Sequence, residues 1–263
     1  MDDARSKPDW NPALYLKFED QRTRPATDLL ARIPDTGQRH VVDLGCGPGN
    51  STELLVTRFP NAAVLGIDSS PDMIAAARKR LPQTTFVLAD AATFVADAPV
   101  DLLFANALLQ WIPDHHCVLP RLMAQLTPGG YLAIQVPDNL NEPSHVAMRA
   151  AAQSGPWIAK LGAADATRTA LPDAGGYYDI LQPQASMVEI WRTTYHHPLD
   201  GPEAIVEWLK STGLKPYLDP LDPSERTAYL KRYLELIGPH YPIHADGKVL
   251  LAFPRLFVVA RRR

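Results

Sequence analysis

Short apolar runs alternate with amphipathic segments from Val41 to Val136. Val41–Leu44, Ala63–Ile67, Thr85–Leu88, Val100–Ala105 and Tyr131–Val136 are compact stretches rich in branched and aromatic residues, the pattern of strands in a sheet covered on both faces. Ser51–Phe59, Met73–Arg80 and Asp114–Leu126 read as helices between them. The second is announced by Ser69-Ser70-Pro71-Asp72, a serine cap with proline at the first helical position. Arg78, Lys79 and Arg80 suit the negative end of its dipole. Pro128-Gly129-Gly130 marks a turn before the fifth strand. This alternation predicts βαβ units, a parallel sheet and right-handed crossovers. In such a sheet a ligand sits outside the C-terminal strand ends. Four consecutive strands run into Asp43, Asp68, Asp90 and Asn106, which predicts a row of polar groups along that edge.

The flanks follow a different rhythm. Trp10-Asn11-Pro12 and the cluster Leu14, Tyr15, Leu16 and Phe18 predict an ordered N-terminal arm, and Pro25–Ile33 reads as a short amphipathic helix. After Val136 helical fragments broken by Pro and Gly continue to about Gln184. A strand pattern returns at Met187–Tyr195, then helices over Pro202–Ser211 and Ser224–Ile237. The last run, Val249–Ala260, reads as a strand whose Pro254 predicts a bulge or an unpaired position.

Composition narrows the class. At 263 residues with a formal charge of −3, the chain is large enough for a substantial core and lacks the basic excess of a protein built on phosphate contacts, so no nucleic-acid partner is expected. The Arg261-Arg262-Arg263 run reads as a solvated tail. Cys46 and Cys117 match no metal-ligand spacing, and the adjacent His196 and His197 point to opposite faces of a strand, so no metal is expected. No apolar run is long enough to span a membrane and the first ten residues are polar, which predicts a cytoplasmic protein.

The chemistry concentrates at Asp43-x-Gly45-x-Gly47-x-Gly49. Glycines let a ligand lie against bare backbone. The spacing differs from the dinucleotide fingerprint Gly-x-Gly-x-x-Gly, and a pyrophosphate would be repelled by Asp43. A cation would welcome that carboxylate. S-adenosylmethionine carries an ammonium, a sulfonium and no phosphate, and it fits. Asp68 is placed to accept from ribose hydroxyls, Asp90-Ala91 to meet the adenine edge and Asn106 to lie near the departing methyl group. Each aspartate has a plainer reading as a cap of the next helix.

These residues resemble the class I S-adenosylmethionine-dependent methyltransferases through Val41–Asn50, Gly66–Met73, Ala89-Asp90 and Phe104–Trp111. The resemblance implies an α/β, Rossmann-like fold with a seven-stranded, mostly parallel sheet. It implies a cofactor set of Asp43, Gly45, Gly47, Asp68, Ser69, Met73, Asp90, Ala91, Asn106, Leu108 and Trp111. The flanks are similar to the trans-aconitate methyltransferase family at Asp9–Leu16, Arg22–Ala26, Leu109–His115, Gln135–Asn139, Tyr177–Leu181, Ile190–Tyr195 and Leu251–Phe257. The similarity implies methyl transfer to a carboxylate of a small tricarboxylate, which needs no general base because the acceptor is already anionic. Arg192 is the first expected partner for the remaining carboxylates, followed by Tyr195, Tyr177, Tyr178, His145, Arg22, Tyr15 and Arg255. Each also reads as an ordinary surface or packing residue. One domain over 1–263 is expected, with 1–30, 137–185 and 200–247 covering the strand ends. The rival readings are an N- or C-methyltransferase using His115 or His145 as base, an NAD-dependent oxidoreductase and a non-catalytic S-adenosylmethionine sensor.

Overall fold

The structure, a computed structural model, describes residues 19–162, 164, 170–210 and 212–263, with side chains from residue 23 onward. The expected N-terminal arm, with Tyr15, and the Arg22 side chain lie outside the described residues.

Helix α1 (Glu19–Leu30) precedes β1 (His40–Leu44), α2 (Asn50–Arg58), β2 (Ala63–Asp68), α3 (Pro71–Arg80), β3 (Thr85–Leu88) and β4 (Val100–Asn106). Then come a 3₁₀ turn (Leu109–Trp111), α4 (His115–Ala124), β5 (Leu126–Pro137), α5 (Pro143–Ala152) and α6 (Ile158–Leu161). The chain closes with α7 (Ala174–Leu181), β6 (Ala185–Leu199), α8 (Pro202–Lys210), α9 (Lys215–Leu218), α10 (Pro223–Ile237) and β7 (Val249–Arg262). The strands form one seven-stranded sheet in the order β3-β2-β1-β4-β5-β7-β6. The pairs from β3 to β5 are parallel, and β7 runs antiparallel to both β5 and β6.

Strand parity sorts the core into two layers. Leu44, Ala105, Ile134 and Val258 face α4 and α7, whereas Val41, Phe104, Ala133 and Phe257 face α1 and α2. Three expectations need correction. Helix α1 starts at Glu19 and carries Pro25 inside it rather than at its first turn. β5 begins at Leu126, so Pro128-Gly129-Gly130 is an irregularity within the strand, where the pairing jumps from Val100↔Leu126 to Leu102↔Tyr131. Gly129 takes φ 81° there, which suits a residue without Cβ. Pro254 causes no bulge, because its pairing with Thr194 is continuous with its neighbours. Its carbonyl accepts from Asp138 N–H, and in a strand N–H and C=O point the same way. The missing donor therefore faces the end of β5 and leaves the β6 ladder intact.

β6 and β7 outrun the other strands. The last β5 pair is Pro137↔Arg255, yet the β6–β7 ladder continues from Thr194↔Pro254 to Leu199↔Val249. At about 3.3 Å per residue this ribbon projects about 20 Å past the C-terminal edge of the sheet. It carries a second core in which Leu199, Val249, Leu251 and Phe253 pack with Trp157, Trp208, Tyr229 and Tyr233 from α5–α10 and the segment joining α5 to α6. Trp157 Nε1 donates to Ala151 O at 2.9 Å and Tyr229 Oη to Met148 O at 3.0 Å, which fixes this helical group internally. α7 instead buries Tyr177 and Leu181 against the main sheet. Among the described residues no helix is long and apolar enough to cross a membrane.

Candidate functional site

The turn after β1 is held by backbone. Cys46 N–H donates to Ile67 O and Gly49 N–H to Cys46 O. Gly45 sits at φ 66°, and a Cβ there would meet Leu108 Cδ1 at 2.6 Å. The positive φ favours glycine, and a Cβ would also have to push aside the end of the Leu108 side chain. The turn opens on a cleft. Gly45, Cys46, Gly47, Pro48, Asn50, Ser51 and Asn106 line it from the sheet edge, and Thr23 and Ala26 from α1.

Asp43 lies beneath the turn and not in the cleft wall. It is 0 % exposed, and its Oδ2 accepts from Ser51 Oγ and Thr52 Oγ1 at 2.7 Å each, which ties the start of α2 to β1. Burial pushes its carboxyl up to about 7, with further repulsion from Asp68 and opposed by the two hydroxyls. A cation in the cleft would favour its ionised form through the field rather than by touching it.

Asp68 ends β2 beside the glycine turn. Oδ2 accepts from Gly47 N–H at 3.0 Å and Oδ1 from Ser70 N–H at 2.8 Å, so it bridges the glycine turn to the start of α3. Ser70, not Ser69, is the cap of α3; its hydroxyl accepts from Met73 N–H, while Ser69 is exposed and Met73 buried. Asp90 Oδ1 accepts from Ala92 N–H at 2.9 Å, closing a turn beside buried Ala91. Trp111 is half-buried, and its backbone N–H donates to Leu108 O at 2.9 Å. Asn106 lines the cleft, and its buried Oδ1 has no hydrogen-bond partner among the described residues.

The expected acceptor residues fall on two sides of the sheet. On the α1 side, the β4–β5–β7–β6 registers place Asn106, Gln135, Arg255, Thr193 and Tyr195 on one face at the strand ends. Arg255 is 6 % exposed, with its guanidinium 4.5 Å from the Phe253 ring centre. Tyr195 is buried, donates to Asp28 and lies under the Arg24 guanidinium. Next along the ribbon, His197 stacks on Trp208 at 4.6 Å. Burial, and then the charges of Arg255 and Arg24, push its imidazole down to about 4.

Arg192 lies on the opposite face, exposed and paired with Asp138 at 2.6 Å. One step of strand parity separates it from Thr193 and hence from Arg255. Tyr177 is fully buried among the α4–α7 core, with its hydroxyl 3.2 Å from His115 Nδ1, while Tyr178 points to solvent. His145 is buried in the second core beside Ser144. The structure thus brings Arg255 and Tyr195 together and sends Arg192, Tyr177 and Tyr178 elsewhere, while His145 meets the edge of the Phe253 ring that the Arg255 guanidinium also covers. Gln135 and Arg24, which sit beside this group, were not among the expected acceptor residues. The amide of Gln135 interrupts the apolar run Tyr131–Val136, and that was its available signal.

The residues present fit an adenosyl cation. Among the described residues no lysine or arginine lines the cleft, a buried carboxylate lies below it, and Asn106 has an unmet acceptor atom. A methyltransferase-domain family matches residues 41–130. Among solved structures, the YcgJ protein of Bacillus subtilis superposes with a TM-score of 0.60 over 91% of this chain and 98% of its own, at 10% identity. Phosphoethanolamine N-methyltransferase 2 of Haemonchus contortus, solved with S-adenosylhomocysteine, gives 0.55 over 91% of this chain and 53% of its own, at 17% identity. Sheet order, glycine turn and strand-end carboxylates define a class I S-adenosylmethionine-dependent methyltransferase. Beyond the class, the chain is 55% identical over 256 residues to a trans-aconitate 2-methyltransferase of Methylobacterium radiotolerans, spanning 97% of this chain and 98% of the relative. It belongs to the trans-aconitate 2-methyltransferase family.

Proposed function

We propose that this enzyme methylates one carboxylate of trans-aconitate, or of a closely similar tricarboxylate, to a monomethyl ester. The observation that carries the reading is Arg255, a buried guanidinium on the same face as Asn106 and one strand beyond Gln135. Arginine offers a carboxylate two parallel N–H donors, and burial strengthens the pairing.

The donor supplies a methyl group on a positively charged sulfur, and the residues around it need only bind, orient and exclude water. Gly45, Gly47, Asp68, Ser69, Met73, Asp90, Ala91, Asn106, Leu108 and Trp111 form the proposed cofactor surface, with Asp43 acting from beneath. The acceptor oxygen is already deprotonated at neutral pH, so alignment for in-line displacement is the main task. The two histidines suited to a rival N- or C-methyl transfer are otherwise engaged. His115 has one ring nitrogen at Leu109 O and the other at Tyr177 Oη, and His145 has Nδ1 at Ser144 Oγ and its ring against Phe253. The ribbon and its helices, from segments 137–185 and 200–247, with 1–30, form the proposed cover that keeps the site dry. The free thiols of Cys46 and Cys117 suit the reducing cytoplasm as its compartment.

The test is incubation of the enzyme with S-adenosylmethionine and trans-aconitate, followed by mass spectrometry for a base-labile methyl ester. Arg255→Met should raise the acceptor KM by roughly 10- to 100-fold while S-adenosylhomocysteine affinity stays within about twofold. Methyl transfer to an amine acceptor, with no ester from any tricarboxylate, would sink the proposal.

A further inference from the structure

Gln135 is 0 % exposed, and neither its Nε2 nor its Oε1 has a hydrogen-bond partner among the described residues. An amide in this condition forgoes its hydration at both ends, and native interiors seldom leave such groups unmet. Its place in the sheet says what it is kept for. On one side it stands directly opposite Asn106, which lines the cofactor cleft and has its own unmet Oδ1. On the other side, the β5–β7 register sets Arg255 one diagonal step away on the same face. The only polar side chain of β5 between Tyr131 and Val136 thus sits between the methyl-donor cleft and the buried cation.

We infer that Gln135 is an acceptor-binding residue, whose amide N–H donates to the carboxylate that receives the methyl group while Arg255 holds a second carboxylate. This rests on the carboxylate acceptor proposed above and adds the residue that selects which oxygen meets the donor. A neutral amide suits this position better than a cation. It orients an anionic oxygen without repelling the positively charged sulfur that must approach the same atom. It also distinguishes a carboxylate from an acceptor nitrogen bearing hydrogens, which would compete for Oε1 instead.

The experiment compares the full-length enzyme with Gln135→Met and Gln135→Glu. For each, kcat and KM are measured with trans-aconitate, S-adenosylhomocysteine affinity by calorimetry, and Tm without ligand. Gln135→Met keeps the side-chain volume and removes both unmet polar atoms. Its Tm should equal or exceed that of the wild type, cofactor affinity should stay within about twofold, and kcat/KM should fall by about 10- to 100-fold, chiefly through KM. Gln135→Glu should lose more near neutral pH and recover activity as pH is lowered, because protonation removes its repulsion of the acceptor. A lower Tm and weaker cofactor binding in Gln135→Met would show a structural amide and overturn the assignment. So would an unchanged acceptor KM in an active, stable variant. A wild-type enzyme that esterifies no tricarboxylate overturns the acceptor reading itself, and that failure is visible before any substitution is made.

Discussion

Replacing Asp43 by asparagine removes a carboxylate at 0 % exposure beneath the glycine turn. Burial raises this carboxyl from the usual 3.8 to about 7, net of the hydrogen bonds from Thr52 and Ser51 that oppose the rise. The folded protein therefore holds the proton more tightly than the unfolded chain. Below pH 3.8 both states are protonated and the group is silent. Between pH 3.8 and about 7 the unfolded chain is ionised and the folded one is not, so stability falls as pH rises. Above about 7 both are ionised and the full cost is in place. A rise of roughly three units corresponds to about 4 kcal/mol, of which about 3 kcal/mol develops between pH 5 and pH 8. His197 works in the opposite sense. Its folded value of about 4 against the usual 6.5 means that stability is gained as pH rises from 4 to 6.5. The difference between the wild type and Asp43→Asn cancels that contribution and isolates Asp43. Denaturant unfolding of both cofactor-free proteins across pH 5 to 8 is the assay. The wild type should lose about 3 kcal/mol relative to the variant, or roughly 6–12 °C in Tm. Wild-type affinity for the cationic cofactor should also rise through about pH 7 and be flat in the variant. Parallel stability curves for the two proteins would refute the reasoning.

Two further outcomes follow from the geometry. Gly45→Ala forces a Cβ to 2.6 Å from Leu108 Cδ1 at φ 66°. It should cost roughly 1–3 kcal/mol and weaken S-adenosylhomocysteine binding by at least about tenfold, read by thermal unfolding and calorimetry. Arg192→Met removes an exposed ion pair with Asp138 on the far face of the sheet. Its stability should change by less than about 1 kcal/mol and its acceptor KM not at all, and a tenfold KM increase would return Arg192 to the site.

The two halves of the site were unequally legible. The donor half is local in sequence. Gly45, Asp68, Asp90 and Asn106 each follow or end an apolar run, and parallel topology alone puts them along one edge. Asp43 is less legible, since its type suits a nearby cation while its position inside β1 buries it against Ser51 and Thr52. The acceptor half depends on pairings between distant segments. Arg192 and Arg255 look equivalent in sequence, each beside aromatic residues on a strand. The β6–β7 register sends one to solvent and the other into the interior. A shift of one residue in that register would put both on the same face. No local pattern sets it; it follows from which alternate residues of a fourteen-residue β7 can be buried against β5 and the second core.

This division also assigns the electrostatics of the reaction in the proposed reading. The donor is a cation and the acceptor an anion, and transfer of the methyl group discharges the sulfur. A wall that strongly stabilised either ground-state charge would raise the barrier, because only interactions that persist or strengthen in the transition state accelerate the step. The cleft meets this requirement by keeping its carboxylate out of contact: Asp43 lies beneath the turn and balances near neutrality at pH 7. The buried Arg255 is two strands removed from Asn106, suited to a carboxylate that stays anionic throughout. Between the two charges the C-terminal ends of β4 and β5 carry neutral amides, Asn106 and Gln135. A positive residue there would repel the donor and a negative one the acceptor. Dipoles that orient without carrying net charge allow both ligands to meet. Gln135→Lys therefore makes the complement of the glutamate variant: it should retain acceptor binding through the added cation and lose donor affinity. If it lost acceptor binding and kept donor affinity, the amide boundary would not be electrostatic in origin.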